Sequence, residues 1–225
     1  MKFKFIIATG KPEGTRLPIH DFLDNVKHDN IDVELDIHYN NTSGLPNVYN
    51  KAIDNSTDFD FLVFAHDDIW FNDHMFFDKV ISSNFDIVGA VGGCYWGIPS
   101  GFPIDAKPLI WTTATCGKGA SGFMNHDLKN GYFLPSSYGV APQQTMTLDG
   151  SIIIFTRKAI QSGLRWDEQF SFHFYDMDIC FSAHRLGLKV GTANILLTHE
   201  SVGGSVVQPE FLASQRKFIK KWFCR

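Results

Sequence analysis

Residues 59–73, FDFLVFAHDDIWFND, restrict the fold of this chain more than any other stretch. Phe59, Phe61, Leu62, Val63, Phe64 and Ala65 form a short, almost continuous apolar run. The run is too short for an ordinary helix and too uniformly apolar for a half-exposed strand. It reads as a strand buried on both faces, as in the middle of a parallel sheet. It stops abruptly at His66, Asp67 and Asp68. Open α/β sheets carry their ligand sites at the carboxyl ends of such strands. Side chains two apart on an extended chain point the same way, so His66 and Asp68 face one site and Asp67 faces elsewhere. A histidine and a carboxylate aimed at one point can hold a divalent cation, and the cation a diphosphate. The plainer alternative is a polar turn in which Asp68 caps the next helix.

Strand and helix alternate around this run. Residues 2–9, KFKFIIAT, predict a first strand, and residues 18–26 a short helix. Ile31, Val33, Leu35, Ile37 and Tyr39 alternate with polar partners in a second strand over 31–39. Residues 45–55 predict a helix, with Pro46 in its first turn and Val48, Tyr49, Ala52 and Ile53 on one face. Asp73 or Asn72 caps a helix running to about residue 82, and residues 87–91 form a further buried strand.

Regularity ends at Gly92. From there to Leu148 the chain is rich in Gly, Pro, Ser, Thr and aromatics and predicts no firm element. Such a stretch is more often functional than filler. Its aromatics, Trp96, Trp111, Phe123, Tyr132, Phe133 and Tyr138, either stack on sugar rings or pin the loops. Residues 151–156, SIIIFT, are again a buried strand, followed by a short helix over 157–162. Residues 176–186 form a helix stopped by Gly187, and 189–193 and 195–198 are short strands. Pro209 opens a last helix with Phe211, Leu212, Gln215, Phe218, Ile219 and Trp222 on one face and Arg216, Lys217, Lys220 and Lys221 on the other. This order predicts one α/β domain, with a mostly parallel central sheet, helices on both faces and long loops over its carboxyl edge.

Hydrophobic residues make up 44% of the 225, including 21 phenylalanines, so a large core is available. A net charge of −4 argues against a nucleic-acid partner. Cys94, Cys116, Cys180 and Cys224 lie far apart with no C-x-x-C, which predicts reduced, mostly buried thiols in a cytoplasmic protein rather than a structural zinc site. The apolar N-terminal run is short for a signal peptide, and no run approaches the ~18 residues of a membrane span. The basic face of the last helix, beside Trp222 and Phe223, is either a solvated surface or a peripheral contact with the inner face of a membrane.

Three polar clusters break the apolar pattern: His66/Asp67/Asp68, Asp176/Asp178 and His199/Glu200. His199 is a further possible metal ligand, or an ordinary satisfied histidine. Asp176 and Asp178 favour a helix N-terminus whatever their function. Residues two apart on a helix point ~200° apart, so both cannot serve one site. Asp176, able to project from the preceding loop, is the better candidate for a general base acting on a hydroxyl.

The same clusters carry a resemblance, together with GLPNVYNKAI (44–53), FLVFAHDDIWF (61–71), LDGSIIIFTRKAI (148–160), WDEQFSFHFYDMDICFSAHRLGLKVG (166–191) and THESVGGS (198–205). In this order they resemble inverting glycosyltransferases of the GT-A type, in the small bacterial glycosyltransferase-like branch of the family-2 group. The resemblance implies a GT-A-like, Rossmann-related domain with a nucleotide-binding half (1–91), an acceptor and catalytic half (92–205) and a basic C-terminal helix (206–225). It implies a nucleotide-sugar donor, UDP-linked, and a glycan or lipid-linked saccharide as acceptor. It implies a divalent cation, Mn2+ or Mg2+, on Asp68 and His199, with His66 in place of the first acid of the D-x-D motif. Asp176 matches the catalytic base, and Tyr175 replaces the usual glutamate beside it. Asp149 and Gly150 match a motif below the sugars, and Thr9 and Asp67 fall where the nucleotide is held. Two other readings stand beside it. One is a nucleotidyltransferase, for which residues 10–14, GKPEG, faintly echo a phosphate loop. The other is a non-catalytic nucleotide- or carbohydrate-binding protein on the same fold.

Overall fold

Two sheets share one aromatic-rich core in the computed structural model, which describes residues 1–26, 30–94, 109, 119–127, 132–200 and 208–224. The elements run β1 (Lys2–Ala8), α1 (Pro18–Asn25), β2 (Asp32–His38), α2 (Leu45–Asp54), β3 (Phe61–Ala65), β4 (Ile69–Phe71), α3 (Phe76–Ile81), β5 (Ile87–Gly89) and β6 (Val91–Gly93). Then follow β7 (Ala120–Asp127), β8 (Phe133–Gly139), β9 (Gln143–Gln144), β10 (Thr147–Leu148), β11 (Ile152–Thr156), α4 (Arg157–Gln161), α5 (Tyr175–Arg185), β12 (Val190–Thr192), β13 (Leu197–His199) and α6 (Pro209–Phe223).

The larger sheet has the order β2-β1-β3-β11-β5-β12-β9, and the second has the order β10-β6-β7-β13-β4 with β8 on β7. Every residue of β3 is buried, with β1 parallel on one side and β11 antiparallel on the other. The apolar run at 59–65 thus marks an interior strand. The α/β domain stands, with a mixed sheet: β1, β2 and β3 are mutually parallel, as are β5 and β12, and β11 runs against both groups. A strand covered on both faces reads the same in either direction, so SIIIFT held no sign of its sense.

Several expectations change. The single strand expected over 87–91 divides at Ala90, β5 joining the large sheet and β6 the second. The stretch from Gly92 to Leu148 contains strands β6 to β10. They were unreadable because β8 is largely exposed and carries Pro135, so it has no inward alternation to detect. Asp73 does not cap α3 directly. Its Oδ1 accepts from the Met75 N–H at 3.0 Å, and its Oδ2 from Leu196 N–H at 2.9 Å. Among the described cysteines, all free, only Cys180 is buried, Cys94 being partly covered and Cys224 exposed. Tyr132 and Phe133 are exposed. Trp96, Trp111, Cys116 and residues 201–207 lie outside the described residues.

The phenylalanines fill the space between the large sheet and α1 and α3. Phe22 and Phe71 stack at 5.0 Å, and Phe77 meets Phe3 edge-on at 4.9 Å. Each such buried ring contributes roughly 1.5–3 kcal/mol.

Helix α6 turns Trp222 inward. Trp222 Nε1–H donates to Asp178 Oδ1 at 2.7 Å, and Lys221 Nζ donates to Asp178 Oδ2 at 2.9 Å and to Asp167 Oδ2 at 2.7 Å. Lys221 therefore leaves the outward basic face to which the sequence assigned it. Burial holds the Asp178 carboxyl above its usual range despite Lys221 beside it. Asp178→Ala leaves the Trp222 N–H without this acceptor and Lys221 with Asp167 alone, so stability is expected to fall by about 2 kcal/mol, less than for a wholly buried pair because Lys221 keeps its second partner and some solvent. An unchanged urea midpoint would remove this anchoring role. Among the described residues no helix is long and apolar enough to cross a membrane.

Candidate active site

The apolar run of β3 ends where three strands deliver polar side chains to one place. β13 pairs antiparallel with β4, setting His199 opposite Ile69 and so beside Asp68. His199 Nε2 lies 3.3 Å from Asp68 Oδ1, and the Glu200 N–H donates to the Asp68 carbonyl at 3.1 Å. Ligand atoms of His66, Asp68 and His199 all lie within 4.8 Å of one another. Burial alone would raise the Asp68 carboxyl, but the hydrogen bond and charge of His199 hold it below the ordinary range. For His199 burial acts downward and is outweighed by Asp68, then Asp149 and Glu200, so its pKa is raised. Burial, then the charge of His199, lowers that of His66. Two imidazoles and a carboxylate that converge on one point suit a divalent cation. Asp68 caps no helix, because β4 follows it directly.

Asp67 points to the other side, as the period of an extended chain requires. Its Oδ2 accepts from Thr9 Oγ1 at 2.5 Å and lies 3.5 Å from Lys11 Nζ. Thr9 and Asp67, far apart in sequence, thus meet at the carboxyl ends of β1 and β3.

Next to this cluster, the turn before β11 meets the first turn of α5. The Gly150 N–H donates to Asp176 Oδ2 at 3.2 Å and the Met177 N–H to Oδ1 at 2.8 Å. Tyr175 Oη–H donates to the Gly150 carbonyl at 2.7 Å, and Oη lies 2.7 Å from His66 Nε2. Asp149 closes its own turn, accepting from the Ser151 N–H at 2.9 Å. Burial, then the charge of Asp149, pushes the Asp176 carboxyl up to about 7. Asp178 faces the opposite side of α5, towards α6, as helical geometry demands.

This first turn is held from outside. Phe174, just before α5, has φ 68°, a left-handed conformation that a bulky side chain resists by roughly 1–3 kcal/mol. Its ring is buried against Phe211 at 5.1 Å and Phe218 at 5.3 Å, both from α6. On the other flank Gly44 lets the chain approach Ser171. A Cβ at Gly44 would stand 2.8 Å from Ser171 Cα, and the Leu45 N–H donates to the Ser171 carbonyl at 2.9 Å.

The structure therefore gathers every candidate residue along one edge: His66, Asp68 and His199 in one cluster, Thr9 with Asp67 beside it, and Asp149, Gly150 and Asp176 opposite. Gly150 differs in kind from the rest, since it offers no side chain and a Cβ there would lie 2.7 Å from Tyr175 Cζ and 3.1 Å from Asp176 Cβ. Two neighbours went unread. His126 on β7 pairs in parallel with His199, their rings 6.1 Å apart. It lies inside the aperiodic stretch, where nothing local marks it. Phe172 stacks beside His66 at 5.8 Å while 53% exposed. An apolar residue in a loop was its only signal.

The family described as glycosyltransferase-like matches residues 29–203. A search of curated proteins gives no match. Among solved structures, the catalytic domain of Drosophila β1,4-galactosyltransferase 7 is similar, with a TM-score of 0.53 and 9% identity over 96% of this chain and 79% of that one. GalNAc-T7 gives a TM-score of 0.52 and 8% identity over 88% of this chain and 43% of that one. S. aureus TarS (1–349) gives 0.50 and 14% over 89% and 58%. At these identities the likeness is one of fold, the GT-A arrangement.

Proposed function

Because this chain belongs to the glycosyltransferase-like family and has the GT-A fold, we propose that it moves a sugar from a nucleotide-sugar donor to an acceptor hydroxyl, with divalent-cation dependence and inversion. The observation that carries this reading is a cation-ligand set joined through Tyr175 and Gly150 to Asp176, a carboxyl that burial pushes up to about 7. Structural neighbours have been solved with manganese, UDP-Gal and xylobiose, and with UDP, GalNAc and Mn2+, which makes UDP-sugars the first donors to test.

In this reading residues 1–91 hold the nucleotide. Thr9 and Asp67 present a hydroxyl and a carboxylate to the nucleoside, next to the edge on which the diphosphate lies. His66, Asp68 and His199 hold the cation, and imidazole donors favour Mn2+ over Mg2+. Once bound, the cation neutralises charge on the departing diphosphate. Residues 92–205 supply the base and the acceptor surface, the acceptor being a glycan, free or lipid-linked. Asp176 keeps lone pairs beyond those given to the Gly150 and Met177 N–H groups, and takes the proton of the acceptor hydroxyl. The freed oxygen attacks the anomeric carbon as the nucleoside diphosphate leaves, and a single displacement inverts that carbon.

Thermal unfolding tests the binding half. UDP with Mn2+ at a hundredfold excess over its dissociation constant stabilises by about 2.7 kcal/mol, or roughly 5–10 °C for a chain of this size. Mg2+ is expected to give less. Asp68→Ala is expected to abolish the Mn2+-dependent part. A shift of full size in that variant would move the cation elsewhere. Absence of any nucleotide shift in the wild type would favour a binding protein that keeps the fold without the chemistry.

A further inference from the structure

The hydroxyl of Tyr175 stands between two groups at hydrogen-bond distance, His66 Nε2 at 2.7 Å and the Gly150 carbonyl at 2.7 Å, but has one proton to give. A carbonyl oxygen only accepts. Two oxygens 2.7 Å apart with no proton between them would repel, so the phenol proton lies toward Gly150. The Tyr175 oxygen can then only accept from His66, and Nε2 must carry a hydrogen. A neutral imidazole has one such hydrogen, so the lone pair is on the other nitrogen.

We propose that Tyr175 is a positioning residue that holds His66 as its Nε2–H tautomer and leaves Nδ1 as the nitrogen offered to a divalent cation. This rests on the reading of His66 as a cation ligand. The outer hydrogen bond of a metal-binding histidine commonly sets its tautomer and ring orientation. A phenol can donate on one side while it accepts on the other, which an ionised carboxylate cannot do. An ionised glutamate at 175 would only accept, and the Gly150 carbonyl would then lose its donor. Gly150 completes the chain, since its N–H meets Asp176 at 3.2 Å, so Tyr175 and Gly150 together link His66 to Asp176.

The test reads the tautomer directly. Whole protein labelled with 15N at histidine and stripped of metal by EDTA is examined by long-range 1H–15N correlation, with the His66 signals identified by their loss in His66→Gln. A proton on Nε2 is expected, and a proton on Nδ1 would overturn the proposal. Tyr175→Phe should mix the tautomers and weaken Mn2+ binding by about 10–100-fold, followed through the electron paramagnetic resonance of free Mn2+. Unchanged Mn2+ affinity in that variant would also overturn it. If Tyr175→Phe does not fold, the wild-type spectrum decides. A wild type that binds no Mn2+ would overturn the cation reading alone, because the tautomer is read without metal.

Discussion

Asp176→Asn is expected to lower the rate of sugar transfer by about 10³-fold while donor binding stays within a few-fold of the wild type. The amide keeps the shape of the side chain and can still accept from the Met177 N–H. It cannot take a proton. The wild-type rate should rise with pH through about 7 and level off above it, as the carboxylate forms. The variant should show no such limb. Near-normal transfer by the variant would remove Asp176 as the base, and a wild-type limb well below 6 would mean that burial does not raise the carboxyl. The same group bears on stability. Its folded pKa lies above the unfolded value, so its favourable contribution is complete below about 4 and is lost as pH rises to about 7. At pH 8 Asp176→Asn should therefore be more stable than the wild type, by roughly 2 kcal/mol. Greater stability with lost transfer is the signature of a group placed for chemistry rather than packing.

Gly150→Ala should cost about 2 kcal/mol of stability and at least about 100-fold in transfer. The added methyl would stand 2.7 Å from Tyr175 Cζ and 3.1 Å from Asp176 Cβ, so both side chains must move. Tyr175 is buried among Tyr49 and Trp166, with ring centroids at 6.3 and 5.5 Å, and has little room to yield. Displacing it breaks the link between His66 and Gly150, and displacing Asp176 misaims the base. Crystals or NMR shifts of the variant showing Tyr175 and Asp176 unmoved, with normal transfer, would contradict this account of the glycine.

The C-terminal helix links these effects to the rest of the molecule. Phe211 and Phe218 bury Phe174 in its left-handed conformation, and Lys221 and Trp222 hold Asp178 two residues beyond Asp176. The candidate site and α6 therefore form one packed unit, and the inward turn of Trp222 follows from that.

Where a periodic pattern sets the direction of a side chain along its own element, the sequence alone determined most of the outcome, Lys221 being an exception. β3 was identifiable as an interior strand from six apolar residues. The period of two separated His66 and Asp68 from Asp67, and the helical period separated Asp176 from Asp178. Only tertiary structure decided which elements meet. His199 reaches Asp68 because β13 pairs with β4, more than a hundred residues earlier in the chain, and β11 lies antiparallel between β3 and β5. His126 and the phenol of Tyr175 enter the site through pairings with no local pattern. The charge of Asp176 belongs with these, because its cause is enclosure by Asp149, Gly150 and the core. Backbone periodicity is a short-range property carried by neighbouring residues. Strand pairing and desolvation arise only when distant apolar surfaces are buried together, so the chemistry of this edge exists only in the folded chain.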